Sequence, residues 1–290
     1  MLIWPDCIPC ILRMSLEVAR LAIEDEEGIR RFMEEILKFS PLKGKDWGVT
    51  SPEVIRDVWI ILQHISGKAD PLKGIKEEQN RRALELLPQV KEQILRSRDP
   101  LEEVVRFAIA GNSIDAMIKA REATEGMCEI LQGHAVDPVE LGRFRERLER
   151  ARTIVYLGDN CGEIVFDRLL IETIRDRYDL DVIFVTRTLP VLNDATLQDA
   201  TSVGMEEVAQ VAENGIPEPF PGTVLQKASP QVRTLMEGAD LIISKGGGNY
   251  DSLTEEERLK GKVTFLFQAK CYPYCSLHRL PLGGLIVYNY

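Results

Sequence analysis

Several short polar groups in this sequence follow apolar runs and could do chemistry together. Gly158-Asp159-Asn160-Cys161-Gly162-Glu163 closes the run 152–157. Leu192-Asn193-Asp194 lies shortly after the run 180–186, and Lys245-Gly246-Gly247-Gly248-Asn249 follows 240–244. Gln268-Ala269-Lys270 follows 262–267. Asp159, Asn160 and Asp194 offer hard oxygen ligands, which suit Mg²⁺ or Mn²⁺ and leave positions for water and phosphate. Lys245 and Lys270 offer charge for phosphate oxygens. The three glycines let backbone N–H groups approach an anion, because glycine has no Cβ and tolerates positive φ. Each group alone is ordinary, since Asp-Asn after a strand also makes turns and caps. Their shared place at strand ends is what points to a site.

Other chemistries fit poorly. The Gly158–Gly162 segment does not match the G-x-G-x-x-G dinucleotide pattern, and neither a phosphate-binding G-x-x-x-x-G-K-[ST] loop nor a G-x-S-x-G elbow occurs. The three histidines, His64, His134 and His278, form no i, i+4 ligand pair.

The elements that must position these residues are legible from periodicity. Helical spacing of apolar residues runs through 10–24, 29–39, 52–66, 77–97 and 101–110, and no strand is expected before about 150. Ser51-Pro52 opens the third of these as a cap with proline in the first turn. Short apolar runs at 152–157, 180–186, 240–244, 262–267 and 285–288 then alternate with helical stretches, beginning with 163–177. The segment 203–213 is expected to be a brief strand entry and then a helix. This pattern predicts an α/β fold: a Rossmann-like, mostly parallel sheet with flanking helices, preceded by an all-helical domain. The expected domains are 1–148 and 149–290. Ligands of such sheets bind beyond the carboxyl ends of the strands, where the polar groups fall.

Bulk properties agree. The 290 residues are 44% hydrophobic and 28% charged, with a net charge of −10. That balance argues against nucleic acid as a partner, yet a few lysines and a metal can reverse the field in one pocket. No apolar run is long enough for a membrane span, and no signal-peptide core opens the chain, so a cytoplasmic location is expected.

Taken in order, these groups resemble the damage-control phosphatase family, formerly a domain of unknown function. The carriers are Gly158–Glu163 with Asp167, Leu192-Asn-Asp-Ala195, Lys245–Asn249, Phe267-Gln-Ala-Lys270, Gly111-Asn112-Ser-Ile-Asp115 and Asp6-Cys-Ile-Pro-Cys10. The last resembles the cysteine-bearing prokaryotic and archaeal branch. The resemblance implies metal-dependent hydrolysis of small phosphometabolites such as sugar phosphates, with Mn²⁺, Mg²⁺, Co²⁺ or Ni²⁺ as the ion. By position it implies that Asp159, Asn160 and Asp194 bind metal and that Glu163 contacts substrate. It further implies that Lys245, Gly246, Gly247, Gly248, Asn249 and Lys270 hold phosphate, and that Asn112 and Asp115 face the cleft. Asp159 or Asp194 could act as base. Phe267-Gln-Ala-Lys270 departs from the Arg-Thr-x-Lys pattern of the eukaryotic branch, so that branch's substrates do not transfer.

Two alternatives compete: an S-adenosylmethionine-dependent methyltransferase of Rossmann-like fold, and a non-enzymatic phosphometabolite-binding protein. Cys7, Cys10, Cys271 and Cys275 could form a four-thiolate zinc site, pair as disulfides, or remain free thiols.

Overall fold

In a computed structural model, residues 1–111, 131 and 133–290 are described. The chain opens with α1 (Cys7–Ala22), α2 (Glu26–Ile36) and α3 (Ser51–Ser66). The first helix starts three residues before the apolar periodicity suggests, because Pro9 sits in the first turn, where a missing N–H costs nothing. Thr50 and Glu53 form a capping box at the start of α3, and left-handed Gly67 ends it. These helices close around Phe32, Ile36 and Trp59, each fully buried.

The helices α4 (Lys73–Arg96), α5 (Pro100–Ala110) and α6 (Pro138–Arg150) follow. They share a core with one face of the sheet, where Phe107, Phe144, Tyr156 and Phe184 are buried together. The sequence changes character near residue 148, in the last turn of α6.

The sheet contains β1 (Thr153–Leu157), β2 (Asp181–Thr186), β3 (Gln210–Glu213), β4 (Leu241–Lys245), β5 (Val263–Gln268) and β6 (Leu285–Asn289). Its spatial order is β3-β2-β1-β4-β5-β6; every pairing is parallel except β5 with β6. The fold is thus a mixed, mostly parallel sheet with flanking helices and a helical amino-terminal region. The connections hold α7 (Glu163–Arg175), α8 (Leu197–Ser202), α9 (Pro230–Gly238), α10 (Gly246–Leu253) and α11 (Tyr272–His278). The other sheet face buries Leu157, Met236, Phe265 and Phe267.

One expectation is reversed. In 203–213 the helix does not follow a strand: α8 ends at Ser202, Gly204 turns the chain in the left-handed region, and β3 comes last. Its four residues lie on a sheet edge and are half-exposed or exposed, so they lack the apolar run that marks the inner strands.

Candidate active site

The loops after β1 and β2 are joined to each other by backbone hydrogen bonds. Asn160 and Asp194 form an isolated antiparallel bridge. The Ala195 N–H donates to the Asp159 carbonyl at 2.7 Å and the Cys161 N–H to the Asn193 carbonyl at 2.8 Å. These bonds bring Asp159, Asn160 and Asp194 together, all buried. Gly158 precedes them because a Cβ there would drive into the Phe184 ring, so that glycine serves packing and not a cofactor's approach. Asn160 Nδ2 donates to Asp159 Oδ2 at 2.8 Å and to Glu163 Oε2 at 3.4 Å.

Beneath these groups lies Arg187, which the motif reading missed. Its guanidinium is buried and donates four ways: from Nε to Asp194 Oδ2 at 2.7 Å, from Nη2 to Asp159 Oδ1 at 3.2 Å, and from Nη1 to Thr223 Oγ1 at 3.3 Å and Asn249 Oδ1 at 3.2 Å. The planar fork suits two carboxylates as an ammonium could not. Arg187 directly follows β2, so the rule about strand ends reaches it; attention to oxygen ligands passed it over.

Lys245 is placed differently from the sequence expectation. It is wholly buried, and Nζ donates to Glu163 Oε1 at 2.5 Å, Asp167 Oδ1 at 2.6 Å and the Ala108 carbonyl at 2.9 Å. Asn249 is also wholly buried; its amide donates to the Gly158 and Lys245 carbonyls while its oxygen accepts from Arg187. Neither residue lines the pocket, nor does Glu163. All three belong to the frame below it. Burial would lower the Lys245 pKa, but the Asp167 and Glu163 carboxylates outweigh it and raise it. Burial drives the Asp167 carboxyl up to about 7 against the pull of Lys245.

The glycine run is the first turn of α10 rather than a loop. Gly246 has φ of 77°, and a Cβ there would overlap the Asp159 carboxylate. Side chains on Gly247 and Gly248 would meet the Tyr274 hydroxyl and the Pro221 carbonyl. The first-turn N–H groups of a helix have no intrahelical partner, and Gly247 and Gly248 line the pocket. By contrast, the Gly162 N–H at the start of α7 is already taken by Asn80 Oδ1.

The pocket holds about 350 Å³. Asp159, Asn160 and Asp194 line it with Lys270, and Ile11, Ile55, Phe267 and Tyr274 give it apolar walls. Cys7, Cys10 and Cys271 line it too, so the fold brings thiols from distant parts of the chain to one place. Cys275 lies one turn into α11, with Sγ 3.9 Å from the Ala269 carbonyl. All four carry free thiols. Among the described residues no three or more His, Cys, Asp or Glu side chains are arranged to hold a metal, and that covers this thiol set. Asn112 and Asp115 lie outside the described residues.

The donor set at Asp159, Asn160 and Asp194 comprises two carboxylates and one amide. Burial raises the Asp159 pKa well above the carboxylate range, and the charges of Asp194 and Glu163 raise it further. Burial raises that of Asp194 as well, against Arg187. Four buried carboxyl groups, Asp159, Glu163, Asp167 and Asp194, thus crowd around the buried cations Arg187 and Lys245. A divalent cation between Asp159 and Asp194 would supply positive charge that favours their ionised forms.

A family model described as the damage-control phosphatase ARMT1-like domain matches residues 3–286. An uncharacterized protein of Methanocaldococcus jannaschii is 33% identical, covering 98% of this chain and 94% of its own. A protein of Archaeoglobus fulgidus named damage-control phosphatase is 30% identical, over 99% of this chain and 98% of its own. The crystal structure of a DUF89 family protein from Pyrococcus horikoshii superposes with a TM-score of 0.87 at 27% identity, over the whole of both chains.

Proposed function

The chain belongs to the damage-control phosphatase ARMT1-like domain family, and on that premise we propose that it hydrolyses small phosphomonoesters, of the sugar-phosphate class, with a divalent metal. One observation carries this reading: two buried carboxylates and an amide, drawn together from two loops, face a pocket that also holds Lys270 and the start of α10. Asp159, Asn160 and Asp194 would hold the ion. When bound, it would supply Lewis-acid polarisation of phosphate and of water.

The chain's own residues do the rest. Arg187 fixes one oxygen of each carboxylate, so each presents a defined face to the pocket. Lys270 draws the phosphate's charge. The N–H groups of Gly247 and Gly248, in the first turn of α10, would donate to its equatorial oxygens. Asp159 or Asp194 takes the proton from the attacking water. The apolar walls exclude bulk water and receive the uncharged part of the ester.

The test is a screen of phosphorylated metabolites with Mg²⁺, Mn²⁺, Co²⁺ and Ni²⁺, with a chelator as control. Asp159→Ala should abolish turnover of an aryl phosphate and leave the fold intact. Turnover that survives chelation, or near wild-type activity in that variant, would defeat the reading.

A further inference from the structure

The helical layer touches both ligand loops, and it does so through two adjacent side chains. Asn80 Oδ1 accepts the Gly162 N–H at 2.7 Å, which holds the loop that carries Asp159 and Asn160. Gln79 Oε1 accepts from Asn193 Nδ2 at 3.2 Å, beside Asp194. Both residues are buried. Gly162 has φ of 80°, and the place of its missing Cβ is 3.4 Å from the Gln79 carbonyl oxygen, so loop and helix are in contact there.

Neighbouring bonds hold this helix and this loop. Lys76, on the same face of α4, pairs with Asp199 at 2.7 Å and Asp70 at 3.0 Å. The Trp59 indole donates to the Pro190 carbonyl at 2.9 Å, and Val191 is wholly buried in the core of α1–α3. The stretch between Arg187 and Asp194 is thus anchored by the helices, while its ends are bonded to each other and to the loop after β1.

We propose that Gln79 and Asn80 are positioning residues, which together set where Asp159 and Asn160 stand relative to Asp194. They touch neither substrate nor ion; they act through the backbone of one loop and the side chain next to the other. Sub-ångström placement of ligands matters for both metal affinity and rate. The inference rests on the phosphatase reading for its effect on turnover, but not for its effect on the loops.

The test uses the full chain with Asn80→Ala and Gln79→Ala, and with Asn80→Asp and Gln79→Glu, which keep an acceptor oxygen. Amide hydrogen exchange is read without ligand at Gly162, whose N–H joins loop to helix, and at Cys161 and Ala195, whose N–H groups join the two loops. Turnover of p-nitrophenyl phosphate is read across a Mn²⁺ titration. The alanine variants should exchange faster at these amides and not across the sheet. Their kcat, or the Mn²⁺ needed for half-activation, should worsen by about tenfold to a hundredfold, with KM for the ester nearly unchanged. The acceptor-keeping variants should recover most of both effects. Unchanged exchange, acceleration spread evenly over the chain, or no recovery with the acidic variants would each overturn the proposal. If an alanine variant does not fold, the acidic variants decide: wild-type exchange at the three amides supports it and faster exchange refutes it. A wild-type protein that lacks phosphatase activity would sink the functional reading alone, and the exchange measurement would still judge the positioning.

Discussion

Arg187 Nε lies 2.7 Å from Asp194 Oδ2, and the same guanidinium reaches Asp159 Oδ1. One buried cation therefore ties together two carboxylates that are far apart in sequence. Removing it would leave both charges buried without that partner. Arg187→Ala should lose about 3–5 kcal/mol of stability, the usual cost of breaking a buried pair. Arg187→Lys keeps the charge but not the fork, and should lose turnover while remaining folded. Urea unfolding and aryl phosphate hydrolysis separate the two; a fully active Arg187→Lys would contradict the geometry.

Lys245 offers a sharper contrast, since its ammonium is held by Glu163 and Asp167 beneath the pocket. Lys245→Ala should therefore destabilise the protein by about 3–5 kcal/mol, as an interrupted buried pair does. A direct phosphate contact would instead raise KM and leave stability alone. Thermal or chemical unfolding of the variant beside its kinetics distinguishes the two.

Asp251 links stability to pH. Burial pushes its carboxyl from 3.8 up to about 7, against the Met1 amino group and a Tyr274 hydrogen bond. Its Oδ1 has no hydrogen-bond partner. The folded state thus holds this proton more tightly than the unfolded chain. The stability it contributes is complete below about pH 4, declines as pH rises to about 7 and is flat above that. Asp251→Asn should remove this decline, so its advantage over wild type should grow between about pH 4 and 7. Urea midpoints at several pH values check this, and parallel curves would rule it out.

Cys10 is exposed and lines the pocket beside Cys7 and Cys271, whereas Cys161 is buried in the core. Burial raises the thiol pKa of Cys161 well above its ordinary value, and that of Cys271 to about 11. Among the described cysteines, N-ethylmaleimide should label Cys10 first and Cys161 only after unfolding. Because the label adds bulk to the pocket wall, turnover should fall as Cys10 reacts, and Cys10→Ser should be spared. Peptide mass spectrometry gives the order of labelling, and activity unaffected by complete labelling of Cys10 would place it away from the substrate path.

The sequence by itself determined helices α1–α5 and α7 and strands β1, β2, β4, β5 and β6. Helical periodicity and the apolar strand runs are local signals, and the polar residues at strand ends follow from the parallel topology those runs imply. Asp159 and Asn160 were readable this way because they lie just past β1, and Asp194 because it lies in the loop that follows β2. The edge strand β3 was not, since a half-exposed four-residue strand leaves little apolar pattern. Tertiary structure alone decided what lies behind these three residues. Lys245 ends its strand and Lys270 lies two residues past its own, yet one is sealed against Glu163 and Asp167 while the other lines the pocket. Burial depends on what packs on top, and that is a matter of the whole fold. The same holds for Gln79 and Asn80: their partners are distant in the chain, and hydrogen bonds of that reach leave no spacing for a sequence to show.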